Sequence, residues 1–174
     1  SGSSQYFNFP GNIQSNTSSA FFVLNRTTSA YAGRGILTGI GAANLYDYGF
    51  LDDNTFGLTK NGVGNVVVST STFTTPDPMI FSVNHDQTAS TGNIFQNGNS
   101  ITPSLTNVTA TSGGASTSFD VGASLARLAP YFFDGVISEI IFFNQFLTSQ
   151  DKEIVECYLS SKYNLPLAPG VNCP

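Results

Sequence analysis

Apolar residues fall in short runs along the chain, separated by Gly, Asn, Ser, Thr and Pro. Ser19–Asn25 (SAFFVLN) is apolar and β-prone, and so is Met79–Val83 (MIFSV), which follows a Pro-Asp-Pro stop. Shorter candidates are Phe56–Thr59, Val66–Val68, Ile94–Gln96 and Phe119–Gly122. Gln96-Asn97-Gly98-Asn99 places Asn-Gly between two apolar stretches, a strong two-residue hairpin signal, and Lys60-Asn61-Gly62-Val63 repeats that chemistry. Many short strands with frequent turns predict an antiparallel all-β sandwich or barrel.

The last third reads differently. Gly135–Asn144 (GVISEIIFFN) predicts one long buried strand, apolar except at Ser138 and Glu139. Thr148 or Ser149 then offers an N-cap, with Asp151 and Glu153 at the end of a helix where carboxylates are favoured. Ile154, Val155, Tyr158, Leu159 and Tyr163 recur at helical spacing before Asn164 and Pro166 end the segment. The expectation is a helix over about residues 149–162 and none longer than two turns before it.

This C-terminal block carries a resemblance. Phe133-Asp134-Gly135-Val136-Ile137-Ser138-Glu139, its apolar continuation to Asn144, the Leu147-Thr148 link, and the helix ending Tyr158-Leu159-Ser160-Ser161-Lys162-Tyr163-Asn164-Leu165 resemble the concanavalin A-like lectin/glucanase superfamily, in its laminin-G-like jellyroll branch of bacterial and viral surface proteins. Phe95-Gln96-Asn97-Gly98 is similar to that branch's hairpin, Ser19–Leu24 to an early strand, and Tyr6–Phe9 to the strand before it. The resemblance implies one domain over residues 1–174, and a sequence without an initiator Met or signal peptide is expected to be a domain excised from a larger protein. The resemblance further implies two antiparallel jelly-roll sheets of roughly six strands each, one of them concave, and a single C-terminal helix.

Composition narrows the function. With 174 residues the chain fits one domain, and Ser, Thr, Asn and Gly supply 72 of them. Charged residues make up 10%, against about 25% in typical soluble proteins. Six basic residues against eleven acidic ones leave a net charge of −5. No basic stripe is present to neutralise phosphates, which argues against nucleic acid, and no apolar run suits membrane insertion. The sequons at Asn16, Asn25 and Asn107 are what an Asn-, Ser- and Thr-rich chain produces by chance. Cys157 and Cys173 are 16 positions apart; they read either as a disulfide of an extracellular protein or as two unrelated thiols.

Catalytic signals are missing. A retaining glycosidase needs two carboxylates about 5 to 5.5 Å apart. The glucanase motif E-x-D-x-x-E of the superfamily has no counterpart here, because Glu139 is followed by apolar residues and the other two Glu lie on the predicted helix. No Gly-x-Ser-x-Gly elbow, P-loop or HExxH occurs. Glu139 therefore reads as structural.

Sugar recognition asks for aromatic faces beside groups that bond hydroxyls, best held on loops of a rigid scaffold. The densest such cluster is Asn44–Asn54, with Tyr46, Asp47, Tyr48, Asp52, Asp53 and Asn54, preceded by Tyr31 and Arg34. His85 and Asp86, at the end of a predicted strand, are candidates to join them. Each has a plainer reading. Tyr46, Tyr48 and Phe50 alternate as one face of a half-buried strand does, Asp52-Asp53-Asn54 suits a solvated turn, and His85 an ordinary loop. The same acids are also candidate calcium ligands, although no EF-hand spacing supports a metal, and no cofactor is expected otherwise.

The expected function is a non-catalytic module that binds a glycan or another cell-surface ligand, displayed by an extracellular adhesin or virion fibre. Two alternatives stand beside it: a structural module of a homotrimeric fibre tip that binds no sugar, and an unusual glycosidase.

Overall fold

The computed structural model describes residues 6–11, 15–27, 34–41, 46–51, 55–60, 63–73, 77–105, 116–123 and 132–173. Twelve strands precede one helix: β1 (Phe7–Pro10), β2 (Thr17–Arg26), β3 (Arg34–Gly41), β4 (Tyr46–Phe50), β5 (Phe56–Lys60), β6 (Gly64–Ser69), β7 (Met79–Asp86), β8 (Thr91–Gln96), β9 (Asn99–Ile101), β10 (Pro103–Leu105), β11 (Ser116–Val121), β12 (Gly135–Phe143) and α1 (Ser149–Tyr163). They form two antiparallel sheets, in the order β1-β11-β3-β4-β5-β6-β10 and β12-β2-β7-β8-β9. Among the described residues the sheets have seven and five strands, against the roughly six each expected. The architecture is the anticipated all-β jelly-roll sandwich with a C-terminal helix.

The core lies between the sheets. Ala20, Phe22 and Leu24 of β2 meet Tyr48, Phe50 and Phe56 of the facing sheet, with Phe22 packing at 5.5 Å from Tyr48 and 5.8 Å from Phe56 between ring centroids. The alternate residues Phe21 and Val23 face the other way, into a second cluster with Ile80, Leu147 and Leu159 beneath α1. Burial on both faces explains why β2 and the start of β7 are apolar without alternation.

Local chemistry sets the turns. Asn97 and Gly98 take φ of 49° and 78°, the left-handed pair that a two-residue hairpin between β8 and β9 requires. At Gly135 a Cβ would come within 2.2 Å of the Asn25 carbonyl, so the Asp134-Gly135 step admits no side chain where β12 joins β2. Thr148 caps α1 by accepting from the Asp151 amide, and Asn164 ends the helix in the left-handed region. Cys157 and Cys173 are bridged, with Cα atoms 5.4 Å apart, which ties the tail to the helix.

One expectation is corrected. β12 is half-buried rather than buried, because it is an edge strand with β2 as its neighbour. Its Ile137, Ile140 and Phe142 reach the core, while Ile141 and Phe143 pack under α1. Glu139 accepts bonds from Tyr158 (3.2 Å) and Lys162 (3.1 Å), anchoring the end of the helix to the strand as a structural residue would.

Candidate functional site

The sequence-selected cluster divides between the two faces of β4. Tyr46 and Tyr48 point into the core: Tyr46 is 1% exposed and Tyr48 is fully buried. The Tyr48 hydroxyl shares a 2.9 Å hydrogen bond with Ser18, and burial pushes the Tyr46 phenol up to about 12. His85 is fully buried too, edge-on to Tyr46 at 5.3 Å. These three rings hold the sheets together, so neither the ligand reading nor the loop reading of His85 survives. Asp86 caps a turn by accepting from the Ala89 amide at 2.9 Å. Arg34 begins β3, paired with Phe50. Tyr31, Asp52, Asp53 and Asn54 lie outside the described residues.

Asp47 is the member that faces outward. It belongs to a row of polar residues in cross-strand register over six adjacent strands: Asn8, Asp120, Thr38, Asp47, Thr59 and Asn65. Neighbouring strands lie about 4.8 Å apart, so such a row offers hydrogen-bonding groups at a regular interval. Asn8 donates to Asp120 at 2.7 Å. Thr38 Oγ1 lies 2.8 Å from both the Ala123 carbonyl and Asp47 Oδ1. A hydroxyl has one proton and a carbonyl can only accept. Both contacts are therefore satisfied when the Asp47 carboxyl is itself protonated. Burial pushes that carboxyl up to about 7, against the Thr38 contact that lowers it.

The row ends at β1, where the exposed aromatics are found. Phe7 is 65% exposed and Phe9 44%. Phe9 stacks on Phe119 at 5.4 Å between centroids, and Phe7 lies 6.4 Å from Phe9. Both rings line a cleft of about 540 Å³ between the edge strands β1 and β12, with Phe133, Asp134, Ser138 and Glu139 on its other wall. Tyr163 donates to the Ser138 carbonyl at 3.1 Å, and together with the Glu139 contacts this makes α1 the support of that wall. Here aromatic faces and polar groups converge on one opening, which is the chemistry that sugar binding asks for. The family resemblance implied a strand at Tyr6–Phe9, and the alternation of Phe7, Asn8 and Phe9 was the signal available in the residues. Exposure of the apolar side was not readable from it. Among the described residues, no group of three His, Cys, Asp or Glu comes together as metal ligands do.

No protein-family model matches the sequence, and no curated protein sequence matches it. Solved structures do. The chain is similar to a native heptameric SAP-like pentraxin from Limulus polyphemus at 12% identity, with 87% of this chain and 76% of that one covered and a TM-score of 0.67. It is similar to the CBM40 of a Ruminococcus gnavus IT-sialidase bound to α2,3-sialyllactose, at 12% identity, 86% and 96% coverage and a TM-score of 0.62. It is also similar to the NanB sialidase of Streptococcus pneumoniae at 12% identity and a TM-score of 0.60, where 84% of this chain spans 27% of that chain. At such identities the likeness is one of fold, and the fold is a jelly-roll sandwich of two antiparallel sheets.

Proposed function

We propose that this chain is a non-catalytic glycan-binding module whose ligand sits in the cleft between β1 and β12. The carrying observation is the pair of exposed rings, Phe7 and Phe9, facing Asp134, Ser138 and Glu139 across one cavity. The other phenylalanines are buried or half-buried while these two are exposed, and aromatic exposure on an edge strand calls for a partner. A sugar's apolar C–H face suits the rings, and its hydroxyls suit the opposite wall. The CBM40 structure with α2,3-sialyllactose supports this reading by likeness of fold. The disulfide supports an oxidising location, such as an extracellular adhesin or fibre, and the Phe133–Leu165 block supports a laminin-G-like domain.

Affinity for one glycan is expected on the order of 0.1–1 mM, with avidity supplied by several copies on a parent fibre. A glycan array followed by titration of Phe7→Ala/Phe9→Ala tests the site. Binding in the parent and its loss in a folded double variant are expected. Undiminished binding in the variant rejects the cleft, and an array without a single hit rejects the function.

A second reading rests on the same patch. β1 and β12 are both sheet edges, and Tyr6, Phe7, Phe9 and Val136 are exposed around them. Edge strands with apolar side chains also suit pairing with a second copy. Light scattering separates the two: a trimer or dimer that Phe7→Ala/Phe9→Ala dissolves, with no glycan bound, favours assembly.

A further inference from the structure

On the opposite side of the molecule the outer face of the five-stranded sheet carries another polar row. Ser19, Asn84 and Asn93 are in register across β2, β7 and β8. Ser19 is fully used, since its hydroxyl donates to the Gln145 carbonyl and accepts from the Leu147 amide, both at 2.9 Å. Those bonds fold residues 145–147 over the sheet and place the start of α1 above the row. Between them is a cavity of about 360 Å³ lined by Asn84, Asn93, Phe95, Phe146, Leu147, Thr148, Ser149 and Lys152. Asn84 is 3% exposed, and its Oδ1 has no hydrogen-bond partner.

A buried acceptor without a donor is costly, and native proteins rarely keep one without a use. The volume is about ten times a water's share of the liquid, which is about 30 Å³, and falls at the lower end of ligand-pocket sizes of about 300–1,000 Å³. We infer that this cavity binds a small uncharged polyol, of the size of one sugar ring or less, whose hydroxyl donates to Asn84 Oδ1. The charges around the cavity select a neutral ligand. Lys152 is paired with Glu156 at 2.7 Å and lies 3.9 Å from the centre of the Phe95 ring, so its charge is already compensated. An anion would meet the Asn84 oxygen, an acceptor with no proton to give. A cation would find no carboxylate among the lining residues. A hydroxyl suits both ends, because it donates to Asn84 and accepts from the donors at a helix start. Phe95 and Phe146 supply apolar surface for the carbon skeleton.

This site does not depend on the β1–β12 cleft and shares no residue with it. The probes are glucose, galactose, mannose, N-acetylglucosamine and glycerol, titrated into ¹⁵N-labelled protein and followed by amide chemical shifts. At least one is expected to move the side-chain amides of Asn84 and Asn93 and the backbone amides of Ser149 and Gln150, saturating in the millimolar range. Asn84→Ala should abolish those shifts and raise Tm, since it removes an unpaired buried acceptor, while signals around Phe7 and Phe9 keep their response to any glycan. A variant with Asn84→Leu, which fills the floor, should behave alike. Absence of shifts at this end of α1 with all five probes overturns the inference, and so does a shift that survives in both variants. Loss of binding at Phe7 and Phe9 alone leaves this site intact and counts against the cleft instead.

Discussion

The two sheets treat their outer faces in opposite ways. The five-stranded sheet is covered by α1, and charges that go under the helix are paired: Lys152 with Glu156, and Glu156 with the Ser82 hydroxyl, all of them buried. A disulfide closes the tail over the same side. Among the described residues the seven-stranded sheet has no helix over it, and its outer row is made of uncharged amides and hydroxyls around two carboxyls, one of which, Asp47, burial pushes up to about 7. The lesson is that a charge-poor chain places its buried ion pair where a helix can shield it and leaves the other face to hydrogen bonds.

The largest expected effect tests the shielded face. Lys152→Ala leaves Glu156 buried without its counter-ion and should cost about 3–5 kcal/mol in denaturant unfolding. The paired change Lys152→Met/Glu156→Leu should be near neutral or stabilising, since desolvation offsets most of the pair's attraction. A loss below 1 kcal/mol for the single change, on the scale of about 0–1 kcal/mol for exposed pairs, would show the helix side to be no drier than the open side.

Next comes the bridge. Cys157→Ser/Cys173→Ser opens a loop of 16 residues and should lower stability by about 3 kcal/mol in the chain-entropy model. Free-thiol titration of the denatured, unreduced parent should find none.

The smallest effect sharpens the open face. Asp47 has a folded pKa of about 7 against an ordinary 3.8. The folded state thus holds a proton that the unfolded chain releases. Its contribution to stability is full below about pH 4, falls as pH rises towards 7, and levels off above that. The whole shift corresponds to about 4 kcal/mol at 1.36 kcal/mol per unit, and screening of the partly exposed carboxyl reduces it to about 2 kcal/mol. Asp47→Asn should therefore be more stable than the parent at pH 8 and lose this slope between pH 4 and 7. Identical slopes in parent and variant would mean that Asp47 is ionised throughout.

Periodicity and turn chemistry were enough to locate β2, β5, β6, β7, β8, β11 and α1, since the signals are local: apolar runs, Asn-Gly, and a Thr148 cap; β7 ends three residues later than its apolar run, and β8 and β11 each begin three residues earlier. β3 was missed because Arg34–Gly41 (RGILTGIG) is interrupted by glycine and reads as turn. The Tyr46–Phe50 segment was legible as alternating, yet alternation has two faces and names neither as the inner one. What sets that is the sheet packed opposite, where Phe22 meets Tyr48 and His85 meets Tyr46.

The amino-acid sequence by itself determined an all-β sandwich or barrel with one C-terminal helix, a composition without basic stripes, and a lack of the catalytic motifs sought in it. These follow from local propensity, composition and spacing, which need no knowledge of neighbours. Tertiary structure alone decided which polar and aromatic groups face water. It turned Tyr46, Tyr48 and His85 inward, left Phe7 and Phe9 at an open edge, raised the pKa of Asp47 by burial, and placed Asn84 beneath the start of α1. The physical reason is that burial and hydrogen-bond partnership arise between residues distant in the chain, as the 85 positions between Thr38 and Ala123 show.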